Sequence, residues 1–291
     1  MNVQNSYKDE RHGKLFVVPT PIGNLDDMTF RAVDTLKQVN VVLAEDTRHT
    51  KKLLHHFQIK QALISYHEHN RMQRIPQIIE KLQQGEQIAL VSDAGTPGIS
   101  DPGFELVEAV IDADYNVIVL PGANAAVTAL VGSGLSMQPF LFYGFLPRKQ
   151  RALETVLTEL SDERATLLFY ESPNRLLTTL RAMKEHFHER HVVIARELTK
   201  VYEQYIRGTI SEVIDYIKRH PLRGECVLIV EGADEVTLEK HTSLWWSSLT
   251  IKQHVEHYER EKGVSHKEAM RLVAKDRQLS RRDIYHQLHV K

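Results

Sequence analysis

Short β-branched runs alternate with helical periods along most of this chain, and that alternation most constrains its fold. The runs at 14–18, 41–44 and 87–92 are almost wholly apolar, and each is followed by a loop and an amphipathic helical period. Strands connected through helices in this order become parallel neighbours with both faces of the sheet covered. The pattern therefore predicts an α/β fold with a largely parallel first sheet.

The alternation of strands and helices restarts after a loop at 146–149, and in this second part we predict some antiparallel pairing. After about residue 236 the sequence predicts helices alone. A length of 291 residues suits two domains and an extension. We expect a flexible N-terminus at 1–13, an N-terminal α/β domain at 14–146 and a C-terminal α/β domain at 147–236. A basic helical extension at 237–291 completes this organisation.

The predicted extension carries eleven Lys and Arg against seven Asp and Glu, although the whole chain has a net charge of −1. The overall charge therefore indicates no general attraction to nucleic acid or membrane. The predicted helices at 266–275 and 281–289 have helix-turn-helix spacing. Two interpretations stay open for the extension: a module that holds RNA, or a solvated helical hairpin used for packing or dimerisation.

Two features of the sequence indicate the compartment of the protein: its cysteine usage and its first ten residues, which are polar and therefore do not predict a signal peptide. The single cysteine, Cys226, excludes an internal disulfide and a multi-cysteine zinc site, and it fits a reducing compartment. The most apolar stretch, 117–134, contains Pro121 and Asn124 and is a poor membrane span. We expect a cytoplasmic protein without membrane contact. We also expect no metal site, because His67 and His69 lack an evident third ligand.

Six loops follow predicted strands, where parallel α/β sheets place their ligand sites. Most of them are rich in Gly, Pro and small residues, which let a backbone approach a ligand closely. Neither a G-x-G-x-x-G motif nor a P-loop motif occurs, so dinucleotide binding and P-loop phosphate binding are unsupported. The loops are 19–29, 44–50, 92–103, 121–127, 170–175 and 195–200.

The motifs PTPIGNLDDMT, AEDTRHT, SDAGTPGISDPG, PGANA, YESPNR and ARELTK, in this order, resemble the tetrapyrrole methylase superfamily. Within it they are most similar to the branch that acts on ribosomal RNA, and the resemblance covers about 15–233. The first loop departs from the glycine-rich loop of other members, and there only Gly23 and Thr29 match well. The resemblance implies two α/β domains with a cofactor cleft between them, a homodimer and S-adenosylmethionine as co-substrate. It also implies 2′-O-methylation of a cytidine ribose in the decoding region of small-subunit rRNA.

The resemblance carries over to individual residues of this chain. Asp93 matches an acidic motif residue, and Asn124 and Ala125 match residues after a Pro-Gly turn. The implied cofactor-binding residues are Ile22, Gly23, Asp93, Thr96, Asn124, Ala125, Tyr170 and Ala195.

Methyl transfer is an in-line displacement, so positioning of the reactants should supply most of the rate gain. The remaining task is to deprotonate or orient the hydroxyl. Glu45 and Arg196 directly follow predicted strands, and together with Arg48 they are the catalytic candidates, although each could equally form an ion pair between loops. The predicted RNA contacts are basic residues, which suit phosphates: Lys200, Arg271, Lys275, Arg281 and Arg282.

Two other functions remain possible on sequence grounds. A small-molecule tetrapyrrole methylase would use the same fold and cofactor, but it gives no reason for a basic helical extension. A non-catalytic RNA-binding or ribosome assembly protein would keep the fold without binding the cofactor. Cofactor binding separates the second alternative from both enzymes.

Overall fold

The structure is a computed structural model that describes residues 3–6, 13–234, 246, 249–277 and 279–289. The chain divides into two compact units, one that ends at Gly232 and one that begins at Ala233. In the first unit the described residues form two five-stranded sheets, and in the second they form helices. Two α/β domains followed by C-terminal helices were predicted, and this fold class is confirmed.

The first sheet is formed by five strands connected through four helices. The strands are β1 (Lys14–Val17), β2 (Val41–Ala44), β3 (Ala62–Ser65), β4 (Gln87–Val91) and β5 (Asn116–Val119). The helices are α1 (Phe30–Gln38), α2 (Thr47–His56), α3 (Arg71–Gln83) and α4 (Phe104–Asp112). The strand order is β3-β2-β4-β1-β5 with every pair parallel, so the carboxyl ends of all five strands meet at one edge.

Apolar side chains cover both faces of this sheet. On one face Leu82 of α3 and Leu106 of α4 pack against the strands, and on the other Leu36 of α1 and Leu54 of α2 do so. All four side chains are buried. This two-sided burial explains the nearly continuous apolar runs of β2 and β4.

The second sheet is mixed and lies later in the chain. Its strands are β6 (Phe140–Phe145), β7 (Thr166–Glu171), β8 (His191–Arg196), β9 (Gln204–Thr209) and β10 (Cys226–Val230). Its helices are α5 (Ala125–Ser133), α6 (Gln150–Glu159), α7 (Pro173–Phe187) and α8 (Ile210–Arg219). The order is β6-β7-β10-β8-β9, and β6–β7 is the one parallel pair among these described strands.

The change from the first sheet to the second occurs earlier than the sequence analysis placed it. Residues 125–145 were assigned to the N-terminal domain, but Ala129 and Leu130 of α5 pack on Leu168 of the second sheet, and β6 pairs with β7. Strand β6 was not predicted. It lies at a sheet edge, has a register shift between Phe142 and Gly144 and leaves most of its side chains at least partly exposed, so it has no regular alternation.

The predicted flexible N-terminus is described only in part. The side-chain amide of Gln4 donates to the Val117 carbonyl at 2.8 Å and accepts from the Val117 N–H at 3.0 Å. The described residues 3–6 therefore contact strand β5. Residues 1–2 and 7–12 lie outside the described part of the chain.

The second unit contains the helices α9 (Ile251–Lys262), α10 (His266–Asp276) and α11 (Arg281–His289). Val255, Val273 and Ile284 form part of its small apolar core. The Arg277 guanidinium lies 4.7 Å from the ring centroid of Trp246 and donates to the Leu249 carbonyl. None of the helices described in either unit is long and apolar enough to span a membrane.

Leu168→Ala tests the packing of α5 on the second sheet. Leu168 is fully buried between them, so we expect a loss of about 2–5 kcal/mol in the free energy of unfolding. Leu25→Ala is the matched control at an exposed leucine and should change this free energy by less than about 0.5 kcal/mol. Denaturant unfolding followed by circular dichroism measures both, and equal effects of the two variants would contradict the described packing.

Candidate functional site

A cavity of about 310 Å³ lies between loops of the two sheets in the first unit. Its size is typical of sites for small molecules. The first-sheet side provides Ile22, Ala94, Gly95, Thr96, Ile99, Ser100, Asp101, Asn124 and Ala125. The second-sheet side provides Phe145, Tyr170, Glu171, Ser172, Pro173, Ala195, Leu198, Gly224, Glu225, Cys226 and Val227.

The loop between β4 and α4 forms much of the first wall, and its backbone conformation explains its composition. Gly95 has a φ of +78° and exchanges two backbone hydrogen bonds of 2.9 Å with Thr20. A Cβ atom on Gly103, where φ is +159°, would lie 3.0 Å from the backbone nitrogen of Gly98. Glycine avoids the steric cost that L residues have in these conformations. The two hydrogen bonds with Thr20 hold the loop against the exit of β1.

The N-terminus of α5 closes the same wall. The Asn124 side chain accepts a hydrogen bond from the Val127 N–H at 3.1 Å, and the Thr96 hydroxyl donates to the Ala123 carbonyl at 3.2 Å. The first turn of a helix presents N–H groups that attract negative charge. This end of the cavity can therefore bind a carboxylate or a similar anion.

The second wall is apolar and aromatic. Tyr170 lies edge-on to Phe142 and Phe145, with ring centroids 5.0 and 5.6 Å apart. Ala195 and Leu198 add buried aliphatic surface beside these rings. Burial raises the pKa of the Tyr170 hydroxyl and so favours its neutral form. The wall is suited to a flat apolar ring.

The electrostatics of the cavity favour a cation. Asp101, Glu171 and Glu225 line it, and no Lys, Arg or His of the described chain does so. Burial, followed by the charges of Glu45 and Asp93, raises the pKa of Asp101 to about 7. Burial and the Asp93 charge also raise the pKa of Glu45. A positively charged ligand group would relieve this repulsion.

Six of the eight predicted cofactor-binding residues line the cavity. Gly23 and Asp93 do not. A Cβ on Gly23 would lie 2.9 Å from the Leu198 carbonyl oxygen, so this glycine permits close packing of two loops. Asp93 accepts a hydrogen bond from the Asp46 N–H at 3.2 Å and thereby connects the exits of β4 and β2. The six residues at the cavity are Ile22, Thr96, Asn124, Ala125, Tyr170 and Ala195.

The three predicted catalytic residues lie outside the cavity lining. The Arg48 side chain is 88% exposed and pairs with Asp46 at 2.9 Å. Arg196 donates to the Gln204 side chain and to the Arg223 carbonyl, both at 2.8 Å, so it braces β8 against β9 and the loop before β10. Glu45 follows β2 and acts electrostatically on Asp101. Contact with a ligand in the cavity is not evident for any of them.

The predicted RNA-contacting residues do not form one group. Lys200 pairs with Glu197 at 3.1 Å and with Glu225 at 3.0 Å in the first unit. Within the second unit Arg271 pairs with Glu268. Lys275 and Arg281 are exposed, and the Arg282 side chain lies outside the described part of the structure.

Sequence reasoning missed two features of this region. Asp101 lies in a loop that was singled out for its Gly and Pro content, and its acidic side chain was the available signal. The exposed face of α2 was also missed, although 47–61 contains several cations and no Asp or Glu. The basic side chains exposed on α2 are Arg48, His49, Lys51, Lys52, His55 and His56.

Comparisons with known proteins agree with this arrangement. A family model described as Tetrapyrrole (Corrin/Porphyrin) Methylases matches residues 14–214. The chain is 51% identical over 279 residues to the ribosomal RNA small subunit methyltransferase I of Bacillus subtilis, covering 96% of this chain and 95% of that protein. It is 50% identical over 290 residues to the protein of the same name from Halalkalibacterium halodurans, covering 99% of each.

Solved structures show the same fold at low sequence identity. The methyltransferase CobJ matches with a TM-score of 0.58 and 19% identity, over 76% of this chain and 95% of that chain. The cobalt precorrin-4 methyltransferase CbiF matches with a TM-score of 0.57 and 16% identity, over 75% and 94%. At such identities the likeness shows the fold alone.

Cys226 provides a chemical probe of the cavity wall because the chain has no other cysteine. Burial raises the pKa of its thiol to about 11. Since the thiolate is the reactive form, alkylation at pH 8 should be about two orders of magnitude slower than that of a free cysteine. The rate of iodoacetamide labelling, followed by mass spectrometry, measures this. The same chain in urea is the control, and equal rates in the folded and unfolded chain would contradict the described environment.

Proposed function

This chain belongs to the tetrapyrrole methylase family, and on that basis we propose that it transfers a methyl group from S-adenosylmethionine to small-subunit ribosomal RNA. The proposed acceptor is the 2′-oxygen of a cytidine ribose in the decoding region. One observation carries the proposal: about half of the residues are identical, over nearly the full length, to proteins named ribosomal RNA small subunit methyltransferase I.

The cavity has the chemistry that S-adenosylmethionine requires. When bound, this cofactor supplies a methyl group activated by a positively charged sulfur. The apolar side chains of Ala195, Leu198 and Val227 suit its adenine ring, and the first turn of α5 suits its carboxylate. The acidic wall without Lys, Arg or His among the described lining residues suits the charged sulfur. The other proposed binding residues at the cavity are Ile22, Thr96, Asn124, Ala125 and Tyr170.

Two predicted cofactor-binding residues would act through the loops. Asp93 holds the exits of β2 and β4 together, and Gly23 allows the first loop to pack against 198–200. Both positions shape the wall of the cavity. Misplacement of a reacting group by as little as 1 Å can cost about two orders of magnitude in rate, so such positioning matters.

The acidic cavity implies that RNA phosphates are held outside it. Arg48 and the neighbouring cations on the exposed face of α2 begin just after the exit of β2, beside Glu45. In the second unit Lys275 and Arg281, with Arg271 and Arg282 in the same helices, are the proposed phosphate contacts. Each such cation adds a sequence-independent and salt-dependent contribution to binding. Lys200 contributes less, because two carboxylates already neutralise it.

Small ribosomal subunits that lack the modification test the function directly. With labelled S-adenosylmethionine, we expect label on one decoding-region cytidine, at its 2′-oxygen. Ala94→Trp should lower cofactor affinity at least tenfold, because Ala94 is exposed at the cavity and a large ring would fill it. Ala113→Trp is the matched control at an exposed alanine outside the cavity lining, and it should keep wild-type affinity.

Other outcomes of this experiment would contradict the proposal. Cofactor binding without labelled RNA would favour a small-molecule tetrapyrrole acceptor. Absence of cofactor binding would favour a non-catalytic RNA-binding or ribosome assembly protein. Calorimetric titration of the cofactor separates these two outcomes. Where RNA is labelled, mass spectrometry of the labelled fragment and resistance of the 2′-methylated ribose to alkaline cleavage identify the site.

The protein is also proposed to act in the cytoplasm as a homodimer. Helix α5 exposes Val127 and Val131, at 48% and 61% of their surface, one turn apart on one face. Contiguous exposed apolar surface marks protein–protein contacts, and we propose that this pair forms part of the contact between the two copies.

Val131→Glu should convert the proposed dimer to a monomer, because an unpaired charge would be buried in the contact. Sedimentation equilibrium measures the mass of both forms. Val201→Glu is the matched control, because Val201 is 95% exposed in the β8–β9 connection and should tolerate the charge with the dimer intact. A wild-type monomer at micromolar concentration would contradict the proposal.

A further inference from the structure

We infer that Tyr202, with Val201 beside it, stacks against an unpaired base of the RNA substrate close to the methylated nucleotide. This inference rests on the proposed function and deepens it, because it names a contact that holds the RNA at the cavity. The two residues lie in the connection between β8 and β9, and together they are called the β8–β9 tip. Neither was selected by the sequence analysis.

Val201 and Tyr202 are the two central residues of a tight turn. The Glu203 N–H donates to the Lys200 carbonyl at 3.0 Å and closes the turn around them. Val201 is 95% exposed and Tyr202 is 74% exposed. Gly, Pro, Asn, Asp and Ser dominate turns for conformational reasons. A β-branched residue followed by an aromatic one departs from this rule, and such departures are expected at functional sites.

The segment that carries the tip is held in place on both sides. The Thr199 N–H donates to the Glu203 carboxylate at 2.7 Å, and the Lys200 ammonium pairs with Glu225 at 3.0 Å. A Cβ on Gly23 would lie 2.5 Å from the Cγ atom of Lys200, so the first loop packs directly on this segment. A side chain presented on a fixed turn loses little conformational freedom when a ligand binds.

The tip lies beside the cavity. Ala195 near the end of β8 and Leu198 in the connection both line the cavity, and so does Glu225, the partner of Lys200. Tyr202 follows Leu198 by four residues, and four residues span at most about 14 Å. A nucleotide whose ribose reaches the cavity therefore brings its neighbouring bases close to the Tyr202 ring.

The charges around the tip favour a base over a phosphate as its partner. Lys200 is the one cation in 197–203. Three carboxylates lie in this segment or pair with it, those of Glu197, Glu203 and Glu225. This excess of negative charge repels phosphates. The faces of bases are uncharged, and they stack on aromatic side chains in single-stranded RNA.

The apolar surface of the tip fits one flat ring better than a protein partner. Charged residues, Lys200 and Glu203, bound it on either side. Each partner in a stable protein interface buries about 800 Å². A single aromatic side chain buries only about 150–250 Å². We therefore assign the tip to a base rather than to a second copy of the chain.

Tyr202→Ala tests the contact, with unmodified small subunits and labelled S-adenosylmethionine as substrates. We expect kcat/KM for the subunits to fall by about 10–100-fold, because stacking on the ring is lost. Most of the loss should lie in KM, since the stack is present both before and during methyl transfer. Tyr202→Phe and Tyr202→Trp keep a stacking ring and should stay within about threefold of the wild type.

Ile111→Ala is the matched control for the removal of an exposed apolar side chain. Ile111 is 44% exposed near the end of α4, just before β5 begins, and this variant should keep wild-type kcat/KM. Calorimetry should give Tyr202→Ala the cofactor affinity of the wild type. Its unfolding temperature should stay within about 2 °C of the wild type, because the side chain is exposed.

Photochemical crosslinking locates the contact independently of activity. Ultraviolet irradiation of the wild-type protein bound to small subunits joins an aromatic side chain to a base in direct contact with it. Mass spectrometry of the digested complex should find a nucleotide adduct on Tyr202. The attached RNA fragment should contain or adjoin the nucleotide that becomes labelled.

Several results would overturn the inference. Wild-type kcat/KM in Tyr202→Ala, or crosslinks confined to other residues, would exclude the base contact. An equal loss in Tyr202→Phe would make the hydroxyl the contact instead of the ring. A change from dimer to monomer in Tyr202→Ala would assign the tip to a second copy, and a large loss of cofactor affinity would assign it to the cofactor site. Failure of the proposed function is distinct, because the wild-type protein would then label no RNA.

Discussion

Both walls of the cavity depend on the packing of α5 against the second sheet. The chain leaves the first sheet at β5, and the next helix buries Ala129 and Leu130 against strands of the other sheet. Arg207 of β9 donates to the Ser133 carbonyl at 3.0 Å, so a cation also holds the C-terminal end of this helix. The N-terminal end of α5 is thereby fixed at the cavity, opposite the apolar strand residues.

The loop after β4 is positioned by the same assembly. Thr96 donates to the Ala123 carbonyl just before α5, and Gly95 pairs with Thr20 after β1. These bonds join three strand exits into one wall. Asp101 lies at the far end of this loop, where it lines the cavity.

Charge is divided between the cavity and the surface around it. The described lining is acidic, while α2 exposes cations beside the exit of β2. Such a division suits a positively charged cofactor inside and a polyanionic substrate outside. Arg48, selected from sequence as a catalytic candidate, lies on this exposed face of α2 and is one of the proposed phosphate contacts. Arg196, another candidate, is occupied in bracing β8, a role that a residue directly after a strand can equally have.

The sequence by itself determined the parallel first sheet, the loops that surround the cavity and six of the residues at it, because buried strand runs and small-residue loops are local patterns. It did not determine strand β6, whose side chains alternate irregularly at a sheet edge. Nor did it determine that residues 125–145 join the second sheet. The electrostatic environment of Asp101 was decided only by tertiary structure, since Glu45 follows β2 whereas Asp93 and Asp101 lie in the loop after β4, and only folding brings these two loops together.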